Sequence, residues 1–345
     1  MRTSRRSCIP TLPARSTEGR AALLVLLGVV AILAAAASLR FGSQSFSLGE
    51  LVGSLFEDGQ DTVRRILLYV RLPRTVAGAA AGAALAMAGA LIQAVLNNAM
   101  ASPNVIGVNA GAGFAAMLVA GAFPAAAALV PAAAFFGALA TTLFIYLLAM
   151  RAGLSRTTLI LAGVAVSSML SAGIDALTLL FPDDVVGATG FLLGGFSGVT
   201  LDGVAAAGWY LAAGALLALL LASDLNLLAL GEETAASLGL AVGRVRFLAI
   251  LAAALLAGGA VSFAGLLGFV GLLVPHIVRR LVGTDNRWLL PASALAGAGF
   301  VLLCDVAARL LFAPFELPVG IVMSLLGGPF FLGLLLRRGR GRIYD

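Results

Sequence analysis

Few side chains in this 345-residue sequence could carry chemistry, and their types exclude several enzyme classes. All 22 basic residues are arginine. Walker phosphate loops and Schiff-base catalysis both need lysine, so neither is expected. His276 is the single histidine, and Cys8 and Cys304 lie far apart. Because a metal site normally takes three or four clustered ligands, we expect no metal, no disulfide, no resident cofactor and no enzymatic activity in this chain.

Charged residues inside apolar segments are the next candidates, because such charges are costly in a membrane and normally pair or face a cavity. Asp305 and Arg309 stand four residues apart, the favourable acid-before-base spacing for a helical ion pair. Asp175 has no obvious partner in sequence and is a candidate residue of a transport path. A proton relay is an alternative role, but two isolated acids support it weakly.

A second group consists of arginines that flank apolar segments. Arg71 and Arg74 enclose Leu72-Pro73, and a proline favours the first turn of a new helix. With the N-terminus inside, six arginines would lie on the outer side, against the positive-inside rule, and they predict a basic surface for an acidic partner, because guanidinium groups pair well with carboxylates. They are Arg40, Arg64, Arg65, Arg71, Arg74 and Arg309. The alternative is a solvated loop, since acidic residues lie nearby.

The segment Asp224–Arg246 is a long loop between apolar segments. Ser223 or Asp224 could cap a first helix, and Gly231 should end it. A short helix over Glu232–Leu238 should follow and stop at Gly239, with its acidic start favoured by the helix dipole. Leu230, Ala235 and Leu238 would then face a protein or lipid surface. The acidic start favours a protein partner over anionic lipid.

The elements that must position these residues are apolar helices. Apolar residues make up 61% of the chain, charged residues 11%, and the mean hydropathy is +1.06. A spanning helix needs about 20 apolar residues, and Thr75–Met150 contains no charge at all. The sequence therefore predicts an all-α, polytopic membrane protein with ten spans: 21–40, 75–96, 105–122, 125–149, 157–181, 203–223, 247–264, 265–282, 290–312 and 317–336.

The boundaries of this predicted domain, 21–336, leave two polar tails. Residues 1–20 should form a disordered cytoplasmic tail, and 337–345 a second cytoplasmic tail. A cleaved signal peptide is the alternative for the first span, because Ala34–Ala37 is rich in small residues. With an even number of spans and the N-terminus inside, most arginines lie on the cytoplasmic side, as the positive-inside rule requires. The net charge of +6 therefore indicates membrane orientation and not nucleic-acid binding.

Several segments, in order along the chain, resemble the permease family of bacterial type II ABC importers for iron chelates and vitamin B12. They cover residues 64 to 336 and depart from the family pattern at Ala99, where a proline is usual, and at Gly195, where a serine is usual. The matching segments are Arg71–Thr75, Gly89–Gln93, Asn97–Pro103, Gly107–Gly111, Leu225–Glu232, Gly268–Arg279, Asp305–Arg309, Glu316–Gly320 and Gly327–Phe331.

The resemblance implies a role for each candidate. Two permease subunits, identical or paralogous, would share a path for a bulky ferric siderophore across the bacterial inner membrane. Two separate ATPase subunits, which bind the ATP and magnesium, would dock at the cytoplasmic loop. A periplasmic or lipid-anchored binding protein would dock at the outer arginines. The implied sites are binding-protein docking at Arg71, Arg74 and Arg309; ATPase coupling at Leu230, Gly231, Glu232, Glu233, Ala235, Leu238 and Gly239; and a path or gate at Gln93, Asn97, Asn98, Asp175, Pro275 and His276.

Other functions remain open on the sequence alone. The cargo could be cobalamin or haem, because the apolar path does not identify the chelate. An ion-coupled secondary transporter with inverted repeats would also have ten glycine-rich spans. A membrane scaffold without transport would not need the outer arginines.

Overall fold

The computed structural model describes residues 16–42, 46, 49, 53, 62–153, 155–311, 313 and 315–339, which are mostly helical with no β-strand among them. Most of the predicted loop between the first two spans, and most of both tails, lie outside the described residues. The long helices are α1 (Thr17–Arg40), α3 (Leu72–Val95), α4 (Val108–Ala122), α5 (Val130–Arg151), α6 (Arg156–Leu180), α9 (Leu201–Leu220), α12 (Val242–Ala264), α13 (Val270–Val282), α14 (Asn286–Leu310) and α15 (Val319–Gly339).

Shorter helices connect them. They are α2 (Thr62–Ile66), α7 (Pro182–Val185), α8 (Thr189–Leu193), α10 (Ala222–Leu228) and α11 (Glu232–Ser237), with 3₁₀ turns at Pro103–Ile106, Pro124–Leu129 and Val186–Ala188. Each of the ten predicted spans coincides with one long helix. Among the described residues, seven helices are long and apolar enough to cross a membrane, and α4 and the apolar part of α15 are shorter. Helix α13 has only 13 residues. The polytopic membrane fold is therefore confirmed, whereas ten crossings stay a prediction.

The start of α1 corrects the predicted N-terminal tail. Ser16 caps the helix by accepting a hydrogen bond from the Gly19 backbone N–H, so helix begins at Thr17 and not after Arg20. Residues 1–15 lie outside the described part of the chain. At the other end, α15 continues to Gly339, so the predicted tail from 337 begins one turn later.

The segment before α3 corrects the predicted turn at Pro73. Residues 62–95 are continuously helical, with a π-helical turn at Leu67–Arg71 just before the proline. Proline lacks an N–H and its ring clashes with the carbonyl four residues earlier. Wider π turns accommodate such a defect within a helix. Arg71 and Arg74 consequently stand on one continuous helix and not on either side of a turn.

The core is centred on α3, against which α12 and α14 both pack. These three helices are mostly buried, whereas α1, α6 and α9 are mostly exposed. Glycines allow direct contact between backbones: Gly82 of α3 lies against Gly297 of α14, and Gly111 of α4 against Gly137 of α5. A Cβ on any of these glycines would collide with the facing helix, so glycine at these positions serves close helix packing.

The predicted break between the seventh and eighth spans is confirmed near Gly265. Helix α12 ends at Ala264, Gly265 has a φ of 68°, and α13 starts only at Val270. The intervening backbone and the end of α12 are held by α8 and the turn that follows it: Leu266 N–H donates to Phe191 O, and Gly195 N–H donates to Ala264 O. Irregular backbone at membrane depth is stable only when protein satisfies its polar groups in this way.

Candidate functional sites at the two ends of the bundle

A buried ion cluster occupies the end of the bundle where α1 and α14 finish and α3 begins. We define the arginine cluster as Arg71, Arg74, Asp305, Arg309 and Glu316. Asp305 and Arg309 form the predicted ion pair within α14, at 3.1 Å. Arg74 of α3 donates from Nε and Nη2 to Asp305 at 2.9–3.1 Å, and from Nη1 to Glu316 at 2.6 Å. Two acids therefore hold α3, α14 and the start of α15 together.

Two arginines of this cluster also bind the end of α1. Arg309 donates to the carbonyl of Phe41 at 2.8 Å and to that of Ser38 at 3.3 Å. Arg71 donates to the carbonyls of Leu39 and Arg40 at 2.6 and 2.8 Å. Carbonyls in the last turn of a helix have no partner within the helix and carry partial negative charge. The guanidinium groups thus cap α1 from neighbouring helices.

The burial of these arginines corrects the prediction of an exposed basic surface. Arg71, Arg74 and Arg309 are 4%, 7% and 3% exposed. They are nevertheless reached by a pocket of about 250 Å³, lined by Gly42, Ile66, Val70, Arg71, Arg74, Arg309 and Glu316. A partner would have to insert a side chain into this pocket instead of resting on a flat basic patch. Docking at these residues stays a prediction.

The loop at the opposite end folds largely as the sequence predicts. We define the docking loop as residues 224–246. Helix α10 ends at Leu228, Gly231 has a φ of 107°, α11 covers Glu232–Ser237, and Gly239 has a φ of 86°. Both glycines occupy backbone conformations that other residues rarely adopt. The predicted cap was wrong, because α10 follows α9 almost directly and its N-cap is Leu221, without a side-chain hydrogen bond.

The docking loop has an exposed apolar surface and a buried anchor. Leu230 and Leu238 are each 60% exposed, which agrees with a surface that meets a partner. Ala235 was expected to share that surface but is fully buried, because α11 rests on the bundle through this residue. Glu232 forms an ion pair with the buried Arg246 of α12, whereas Glu233 is exposed.

A polar clamp fixes the start of the docking loop to α14. We define it as Asn226, Asp285 and Asn286. Asn226 Nδ2 donates to Asp285 Oδ1 at 2.6 Å, and its Oδ1 accepts from the backbone and side-chain nitrogens of Asn286 at 2.8 and 2.9 Å. Arg287 donates to Ser223 at 3.1 Å beside it. Sequence reasoning missed this clamp, because nothing in the sequence pairs residues about sixty positions apart.

Three predicted path residues come together near the docking loop. Gln93, Asn97 and Asn98 line a pocket of about 280 Å³ with Ala94, Ala99, Ala229, Arg279, Thr284 and Asn286. Gln93 is buried and donates to the carbonyls of Gly271 and Leu272 at 3.3 Å. The lining does not include Pro275 or His276. Pro275 is buried within α13, and the His276 ring lies 6.3 Å from that of Phe330.

The remaining path candidate, Asp175, lies on a different face. It is exposed on α6 at the end of a groove of about 580 Å³ that also includes Ser167, Ser168 and Ser171. These residues repeat about every four positions and so share one side of the helix. The sequence shows this spacing, but sequence reasoning singled out the acid alone. The rest of α6 exposes apolar residues such as Leu161, Met169 and Leu179.

In the described part of the chain, no group of three His, Cys, Asp or Glu side chains could hold a metal ion. The arrangement instead combines buried ion pairs at one end, a helical loop at the other, and apolar helices with a polar groove between them. These features define a multi-pass membrane protein.

Comparison with known proteins identifies the family. Residues 29–337 match the model of the FecCD transport family, so the chain belongs to that family. It is 38% identical over 315 residues to the Fe(3+)-citrate import system permease protein YfmE of Bacillus subtilis, covering 90% of this chain and 94% of that protein. It is 36% identical to the hemin transport system permease protein HmuU of Yersinia pestis, covering 93% and 96%.

A relative for a third cargo and a solved structure agree with this assignment. The cobalamin import system permease protein BtuC of Halobacterium salinarum is 41% identical over 280 residues, covering 81% of this chain and 75% of that protein. A metal-chelate type ABC transporter in an inward-facing conformation superposes with a TM-score of 0.82 at 28% identity, covering 92% of this chain and 99% of that one. The chain is a permease subunit of an ABC importer in the cytoplasmic membrane.

Proposed function

We propose that this permease forms half of the path through which an importer carries a ferric siderophore into the cell. The observation that carries this proposal is the family match over 29–337, together with relatives named for ferric citrate and hemin. Ferric siderophore is our first choice because relatives named for iron(3+)-hydroxamate and siderophore transport also match 93% and 92% of this chain. Haem and cobalamin are the alternative cargoes.

The path would run along the groove on α6. Its acid and three serines stand on a helix whose other exposed residues suit lipid, and polar groups facing lipid are costly. A second permease subunit, identical or paralogous, would cover this groove and complete the path. Gln93, Asn97 and Asn98 would line its cytoplasmic exit, near the docking loop.

We propose ten crossings with both termini in the cytoplasm. This topology places the docking loop inside and the arginine cluster outside. Two ATPase subunits would then dock on Leu230, Leu238 and Glu233, and would bind the ATP and magnesium. On the outside, a periplasmic or lipid-anchored binding protein would insert an acidic side chain into the pocket lined by Arg71, Arg74 and Arg309.

The test is transport by the reconstituted complex. The permease is placed in proteoliposomes with its cognate ATPase and binding protein, and uptake of ferric citrate, a ferric hydroxamate, hemin and cobalamin is compared. We expect ATP-dependent uptake of a ferric chelate. Uptake that follows a sodium or proton gradient and ignores ATP would instead support the secondary transporter.

A matched pair of variants tests the path. Asp175→Leu removes the acid from the groove, and Thr178→Ala changes a neighbouring exposed residue of α6 whose hydroxyl bonds within its own helix at 2.9 Å. We expect Asp175→Leu to reduce uptake severalfold while the complex still assembles. Equal uptake by the two variants would contradict a path along α6.

A further inference from the structure

Helix α14 has polar anchors at both ends, and each anchor joins it to a functional surface. At its start, Asp285 and Asn286 bond to Asn226 of the docking loop at 2.6–2.9 Å. Near its end, Asp305 and Arg309 belong to the arginine cluster. At 1.5 Å per residue, the two anchors lie about 30 Å apart along one helix.

Pro291 lies in the second turn of α14, and beyond it the helix is packed closely against its neighbours. Gly297 lies against Gly82, so the backbones of α14 and α3 touch midway. Val301, Leu302 and Ser293 are buried along the same helix. Densely packed elements transmit displacement instead of absorbing it. A shift at either end of α14 is therefore passed to the other end.

We propose that α14 is the strut that connects the arginine cluster to the docking loop, and that Asn226 is the positioning residue that fixes the loop to it. The inference rests on the proposed function, because it assumes that a binding protein docks at one end and an ATPase at the other. When a partner carboxylate enters the pocket at the cluster, it competes with Asp305 and Glu316 for the arginines. The resulting shift of α14 reaches the docking loop through the clamp.

Asn226 suits this role because its amide uses both of its polar atoms. Its nitrogen donates to Asp285 and its oxygen accepts twice from Asn286. Leu225 and Leu228, which flank it in α10, are almost completely buried. Asn226→Ala would therefore remove the directional bonds while the apolar contacts keep α10 attached. The docking loop would stay attached to the bundle, but a shift of α14 would no longer displace it.

The experiment compares ATP hydrolysis by reconstituted complexes with and without the cognate binding protein. We expect Asn226→Ala to lower the ratio of stimulated to basal hydrolysis about fivefold or more, the usual range of coupling between two sites, with bound ATPase checked by co-purification. Thr178→Ala serves as the control and should keep the parent ratio. An Asn226→Ala complex with the parent ratio overturns the inference.

A chemical rescue separates positioning from general damage. In a Cys8→Ser, Cys304→Ala background, Asn226→Cys and Asn286→Cys are joined by a short reversible cross-linker. The reduced complex should show the low stimulation ratio, and cross-linking should restore it toward the parent value. Failure of the cross-link to restore the ratio would contradict a positioning role, because the link replaces only the connection between loop and helix.

A double-mutant cycle tests whether the two ends act through the same helix. Asp305→Glu keeps the charge but changes the cluster geometry, and we expect it to lower stimulation by itself. Residues this far apart normally act additively. If α14 carries the signal, Asn226→Ala combined with Asp305→Glu should lose no more stimulation than the stronger single variant. Losses that multiply, or an Asp305→Glu complex that behaves as the parent, contradict the strut.

The parent complex separates failure of the proposed function from failure of the strut. If it shows no stimulation by the binding protein, the proposed function fails and the strut fails with it. If the parent is stimulated and Asn226→Ala is stimulated equally, the proposed function stands and only the strut is wrong.

Discussion

Removing the charge of Asp305 should loosen the arginine-cluster end of the bundle. Asp305 is 1% exposed and accepts from two nitrogens of Arg74 while it pairs with Arg309. Asp305→Asn keeps the size of the side chain but leaves two buried guanidinium groups without their shared carboxylate. Breaking a buried ion pair by neutralising one partner costs about 3–5 kcal/mol.

The structure places the expected cost at the lower end of this range. Arg74 keeps its ion pair with Glu316 at 2.6 Å, and Arg309 keeps its hydrogen bonds to the carbonyls of Ser38 and Phe41. We therefore expect about 3 kcal/mol. Because each 1.4 kcal/mol is a factor of ten in an equilibrium constant, local opening should become about 100-fold more frequent.

Cys304 provides a direct assay for this opening. It is buried next to Asp305 in α14 and is the free cysteine of the described region. In a Cys8→Ser background, the rate at which a maleimide labels Cys304 in the purified permease reports how often this end opens. We expect Asp305→Asn to accelerate labelling about 100-fold at the energy estimated above.

Two further variants control the interpretation. Asp183→Asn removes an exposed acid in α7 and should leave the labelling rate unchanged. Arg74→Gln combined with Asp305→Asn replaces an unbalanced charge with a neutral amide pair and should recover part of the protection. If Asp305→Asn labels at the parent rate, the cluster does not stabilise this end, and our reading of its energetics is wrong.

Three other changes test different parts of the molecule. Gly297→Val should lower the free energy of unfolding of the purified permease by about 1–3 kcal/mol, because its side chain would overlap the Gly82 backbone. The control is Gly208→Val, because a Cβ at Gly208 meets no atom within 4 Å. Leu238→Asp should abolish co-purification of the ATPase without changing membrane insertion. The control is Ala152→Asp at an exposed residue of another loop, which should leave co-purification intact. Intact co-purification of the Leu238→Asp variant would exclude docking at Leu238. Arg71→Gln should weaken binding-protein affinity at low salt more than at high salt, and an unchanged affinity would exclude docking in this pocket.

The apolar organisation of the chain was predictable because hydrophobic length is a local signal. Each predicted span contains a helix, and the breaks at Asn97, Pro103 and Gly265 occur where glycine, proline and asparagine interrupt apolar segments. The docking loop was predictable for the same reason, since Gly231 and Gly239 lie within a few residues of the helix that they limit. Boundaries were less accurate where a helix passed through a residue that usually breaks it, as at Pro73.

The partners of the candidate residues were not predictable, because they lie far away in sequence. Arg74 and Asp305 are separated by 231 positions, and Arg309 binds carbonyls 268 positions away or more. Only the Asp305–Arg309 pair lies within one helical turn, and it is the contact that the sequence identified. Burial of Ala235 was likewise missed, because helix periodicity over six residues does not define which side meets the bundle.

The buried arginines explain why an exception to the positive-inside rule need not indicate an exposed surface. Arginine at the predicted outer side is unfavourable for orientation, so its presence implies a compensating role. Arg71 and Arg309 cap the end of α1, and Arg74 joins α3 to α14. Charge reversal would therefore be an ambiguous test of docking: Arg74→Glu would place a third acid beside Asp305 and Glu316 and damage the fold. A neutral change at Arg71, which bonds to backbone carbonyls of α1, perturbs docking with less cost to the cluster. The same buried contacts that stabilise this end thus determine which experiment can separate a structural role from a binding role.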